Sequence, residues 1–186
     1  MSTINWTTVI TAATTAGLVT IAVEYAAKPR LEARKDRILE TLRNRRELVA
    51  TALSAALTTE FLLHDLPADA DRELRDTFRA ERKRHYERVQ QQVQTLYDSI
   101  GKYGTLYRNP VRDLVIQYIM QMYGVILSRR TQRRKAEIIK GLTAPMIVLL
   151  DGPKHKLVAR AVALKEIRRL MDEIENDPPS GENGAT

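Results

Sequence analysis

Five basic residues crowd into seven positions at Arg129, Arg130, Arg133, Arg134 and Lys135, the densest basic cluster of the chain. Guanidinium and ammonium groups at that density are suited to oxyanions. One ligand would be the headgroups of an anionic inner leaflet, at about 1 kcal/mol per residue close to the surface. Another would be the backbone of a nucleic acid, where cations displace condensed counterions. No aromatic side chain is interleaved with the five, so stacking on bases is unsupported. A solvated helix end, its charge complementing the C-terminal dipole, is the plainest reading of the same residues.

Two carboxylate–imidazole pairs invite comparison with a metal site: Glu60 with His64, and Glu81 with His85. Di-iron bundles use Glu and His three apart, whereas these are four apart. A hairpin turning at Pro67 would set Glu60 opposite about Arg75, leaving His85 roughly 15 Å away. The spacing then reads as two i,i+4 surface pairs, and no metal is expected. Gly101 and Gly104 lack the following Lys-Ser/Thr and the preceding strand of a phosphate loop. Cysteine is absent, which removes thiolate chemistry and disulfides together. No Ser sits in a nucleophile motif. The residues therefore predict no catalytic centre, no enzyme activity and no cofactor.

The element expected to position everything else is Trp6–Ala27, twenty-two residues whose one charge is Glu24. As a helix it would cover a hydrocarbon core of roughly 30 Å. Trp6 and Tyr25 stand at headgroup positions, and Lys28, Arg30, Arg34, Lys35 and Arg37 follow. That asymmetry predicts a single-pass membrane protein with its N-terminus outside and its body in the cytoplasm. Ala12, Ala16 and Thr20, with Ala13 and Gly17 beside them, form a small-residue face. Such a face permits close helix approach in lipid and predicts self-association there, hence a homo-oligomer.

The remaining chain is rich in Ala, Leu, Arg and Glu, and the formal net charge is +7. These residues predict helix. A first helix is expected from Arg30 to His64, with Leu39, Leu42, Val49, Leu53, Ala56 and Leu63 as a heptad-like stripe that packs into the bundle or, as the alternative, pairs in an intermolecular coiled coil. Leu66-Pro67 stops it. A second helix from Ala68 to Ile100 should return antiparallel to the first. Residues 101–109 read as loop. A third helix spans Pro110 to Lys140, and its section Leu114–Leu127 is the most apolar of the body. At fourteen residues it covers only about 21 Å, so it reads as a core helix and not as a second span. Gly141 should close that helix. Thr143–Leu150 is a short apolar piece, and a last helix runs from Pro153 to Glu175. Residues 177–186 have the composition of a disordered tail.

The run from Glu24 to Glu40, EYAAKPRLEARKDRILE, resembles the anchor-to-body junction of uncharacterised small bacterial single-span membrane proteins. The resemblance covers about the first fifty residues. It implies an anchor and carries no functional residues. Together these readings predict an all-α protein: an anchor at 1–28, a cytoplasmic bundle of about four helices at 29–176 with a long antiparallel hairpin, and a tail at 177–186. The expected function is a membrane-tethered, non-catalytic scaffold or interaction module. A membrane-associated nucleic-acid binder is the alternative.

Overall fold

In the computed structural model, the residues described are 11, 14–20, 24–25, 28–152 and 157–176. By contact the chain divides into two units, Met1–Arg43 and Asn44–Thr186. From Lys28 onward the described residues form six helices: α1 (Lys28–Leu63), α2 (Arg72–Asp98), α3 (Ile100–Gly104), α4 (Val111–Leu127), α5 (Gln132–Asp151) and α6 (Leu157–Asn176). No strand occurs among the described residues. The all-α class is the one expected.

Among the described residues, no helix is long and apolar enough to cross a membrane. That finding corrects the expected N-terminal transmembrane helix, the single-pass topology and the membrane localisation. Trp6–Ala27 lies for its greater part outside the described residues. In what is described of it, residues 14–20 are helical but hold only two large apolar side chains, Leu18 and Val19. Threonine takes the other weight: the Thr15 and Thr20 hydroxyls donate to the carbonyls of Thr11 and Ala16, at 2.8 and 2.9 Å. The tail at 177–186 and residues 153–156 also lie outside the described residues.

The second unit is built around α4. Leu114, Val115, Tyr118, Ile119, Met122, Val125 and Ile126 are all buried along it, on a face wide enough to meet several neighbours. It packs against α2, α3 and α5, and α5 packs most extensively against α6. The apolar section is thus a core helix, as expected. Tyr118 is fully enclosed, and its hydroxyl lies 2.9 Å from Thr143 Oγ1. Thr143 donates to the Ile139 carbonyl at 2.7 Å, so Tyr118 supplies the proton between them. Burial pushes the Tyr118 hydroxyl's pKa up. Tyr103 is likewise fully buried, and its pKa is pushed up to about 12 by desolvation and then by the Glu47 carboxylate.

The expected helices shift at their ends for identifiable reasons. α2 starts at Arg72 because Asp71 caps it, accepting from the Leu74 amide at 2.7 Å. The long third helix divides. Ser128 takes extended geometry (ψ 162°), and Thr131 caps α5 by accepting from the Arg134 amide at 3.3 Å. Gly141 does not stop α5, which continues through Pro145 to Asp151. Pro145 forfeits one ladder bond, while Met146 and Leu149 beyond it are buried.

α1 and α2 run antiparallel, as expected, but in another register. Phe61 meets Phe78 and His85, at centroid separations of 5.1 and 4.3 Å, and Ser54 accepts from Gln92 at 2.6 Å. The link between the helices spans residues 64–71 and is not a tight turn at Pro67. Arg82 closes it, donating to the carbonyls of Leu62 and His64 at 2.8 and 3.0 Å. The buried positions on α1 are Leu48, Ala52, Ala55, Thr59 and Leu62. The expected stripe is rotated off the core: Leu39, Leu42 and Leu53 are exposed, and Val49, Ala56 and Leu63 are half-buried.

Candidate functional site

The basic cluster lies where α4 hands over to α5, and its side chains diverge. Arg130 donates to the Ile174 carbonyl at the end of α6, at 2.8 Å. Arg133 pairs with Asp65 in the α1–α2 link and with Glu137 at 3.5 Å. Arg134 reaches Glu137 at 3.4 Å. Lys135 is buried, donating to the Ile126 carbonyl at 2.7 Å and to the Tyr86 hydroxyl at 3.1 Å, with its ammonium 5.7 Å from the Tyr86 ring centre. A buried ammonium is tolerated because those acceptors replace water. Arg129 is exposed and forms no side-chain hydrogen bond or ion pair among the described residues. Arg133 thus ties α5 to the α1–α2 link, Lys135 ties it to α2 and α4, and Arg130 ties the α4–α5 turn to the end of α6. None of this structural work is visible in their spacing.

The observed register overturns the geometry that separated Glu60 from His85, because His85 stacks on Phe61 next to Glu60. The Glu60 carboxylate is engaged by Lys140 at 2.7 Å. His85 Nδ1 is buried without a partner. Among the described residues no three His, Cys, Asp or Glu converge as metal ligands. Gln117 and Gln121 of α4 line a trough of about 430 Å³ with Arg168, Asp172 and Glu175 of α6.

In the first unit the notable surface is apolar. Leu31, Ile38, Leu39 and Leu42 of α1 are 64, 52, 53 and 45% exposed. At 100° per residue they fall within an arc of about 100°, one face of the helix. All residues from Lys28 to Glu40 are exposed. Ala16, Gly17 and Thr20 are exposed too, and a side chain added at Gly17 would meet nothing within 4 Å. Ala12 and Ala13 lie outside the described residues. No protein family, no curated protein and no solved structure matches this chain.

Proposed function

We propose that the chain is a non-catalytic helical interaction module that assembles with a second copy of itself through the N-terminal part of α1. The observation that carries this is the uncovered face of Leu31, Ile38, Leu39 and Leu42. The N-terminal part of α1 buries none of its large aliphatic side chains, and helices in proteins take most of their stability from packing an apolar face. Each large aliphatic side chain moved out of water contributes about 1.5–3 kcal/mol. A second copy always carries the matching surface, and twofold pairs are the commonest assemblies.

Charge sets the conditions. Residues 28–43 hold six Lys or Arg (Lys28, Arg30, Arg34, Lys35, Arg37, Arg43) against three acids (Glu32, Asp36, Glu40). Two such segments repel each other, and salt screens that repulsion. Association therefore strengthens as salt rises from about 0.05 to about 0.5 M, the opposite of an assembly held by ion pairs. In sedimentation equilibrium the full chain populates a dimer that salt favours. A variant carrying Leu39→Glu and Leu42→Glu remains a monomer at every salt concentration. A wild-type chain that stays monomeric at high salt, or a variant that dimerises equally well, overturns the reading.

A further inference from the structure

A second feature lies wholly in Asn44–Thr186 and is independent of the apolar face. Arg45 of α1, Tyr107, Arg108 and Asn109 of the loop before α4, Asp151 at the end of α5, and Arg160 of α6 line one cleft of about 550 Å³. That is the size range of small-molecule sites. Three guanidinium groups against one carboxylate leave it positive.

Two of the arginines are held in place by backbone carbonyls. Arg45 donates through Nη2 to Leu106 at 2.7 Å, and Arg160 through Nη2 to Leu149 at 3.1 Å. The Arg45 guanidinium also lies over the Tyr107 ring, 4.8 Å from its centre. Each carbonyl bond uses one N–H and helps fix the plane of its guanidinium, so the remaining donors are positioned in advance. Arg45 Nε and the Tyr107 hydroxyl are buried and have no hydrogen-bond partner. Arg108 is exposed and forms no side-chain hydrogen bond or ion pair among the described residues. Unpaired buried donors are costly in a finished interior, and here they border a cavity that admits a ligand.

We infer that this cleft binds a small soluble phosphate monoester, its phosphate held by Arg45, Arg108 and Arg160. The guanidinium fork matches phosphate oxygens two at a time, which an ammonium does not. Burial and the nearby Asp151 raise the pKa of the Tyr107 hydroxyl while Arg45 opposes them, so that hydroxyl stays protonated as a further donor. Asp151 repels a bare anion. It fits a ligand that carries hydroxyl groups beside its phosphate, because a carboxylate accepts from them. A phosphorylated sugar has that combination; inorganic phosphate has only the first half.

The test is calorimetric titration of the full chain with ribose 5-phosphate, inorganic phosphate and sodium chloride, beside sedimentation with vesicles containing phosphatidic acid. Ribose 5-phosphate binds more tightly than inorganic phosphate, and chloride does not compete at equal ionic strength. Arg45→Gln and Arg160→Gln each weaken binding roughly tenfold to hundredfold, the effect of losing a charged hydrogen bond. Asp151→Asn narrows the preference for the sugar phosphate over phosphate. Should Arg45→Gln or Arg160→Gln fail to fold, Arg108→Gln carries the test, since Arg108 supports no other side chain among the described residues. Absence of binding by the folded wild type, binding unchanged in folded Arg108→Gln, or binding confined to phosphatidic acid vesicles overturns the inference.

Discussion

Thr143 is the residue on which the packing of α4 against α5 is most sharply specified. Its hydroxyl accepts from Tyr118 and donates to Ile139 inside a region closed to water. Thr143→Val keeps the shape and leaves the Tyr118 hydroxyl buried and unpaired. Urea unfolding should show a loss of about 1–3 kcal/mol. Adding Tyr118→Phe removes the orphaned group, so the double variant should be more stable than Thr143→Val alone. Equal stability of all three proteins would show that the hydroxyl pair carries nothing. At this scale the sequence was only partly legible. The run from Arg129 to Lys135 is visible as charge density, but the partners that engage it, Asp65, Tyr86 and Ile174, come from distant segments. Arg45, Arg108 and Arg160 escaped notice for the same reason: no spacing rule joins residues that only the fold brings to one cleft.

Among the elements, α1 shows why a periodic stripe is not yet a core face. Leu39, Leu42, Val49, Leu53, Ala56 and Leu63 follow a helical repeat, yet the second unit buries Leu48, Ala52, Ala55, Thr59 and Leu62. Ala and Thr score weakly beside Leu and Val, and that is why a buried face holding Ala52, Ala55 and Thr59 stayed hidden. Leu48→Ala should therefore cost about 2–5 kcal/mol. Leu53→Ala, at a site 41% exposed, should cost less than about 1 kcal/mol. Chemical denaturation of the two variants decides the register, and the reverse order would refute it. Helix existence was legible for the long segments, whereas punctuation was not. Gly141 looked like a stop but lies, with Pro145, in a helix whose far end is buried, and packing outweighs one lost ladder bond. The capping Thr131 was overlooked because a basic run, not the usual acidic first turn, follows it.

For the whole molecule, the helical class was readable from composition and from the scarcity of glycine. The membrane span was not: a charge-poor stretch suggested it, but among the described residues none is long and apolar enough to cross a membrane. What remains is a helical unit with a built core around α4 and an N-terminal helical segment whose large aliphatic side chains face outward. The central claim is that this segment is covered by a second copy. Amide hydrogen exchange at two chain concentrations tests it most directly, because exchange reports local opening. Amides of residues 31–43 should slow as concentration rises, more so at about 0.5 M salt. Amides of residues 114–126, already packed in α4, should not change. Rapid exchange of 31–43 at every concentration and salt would contradict the assembly.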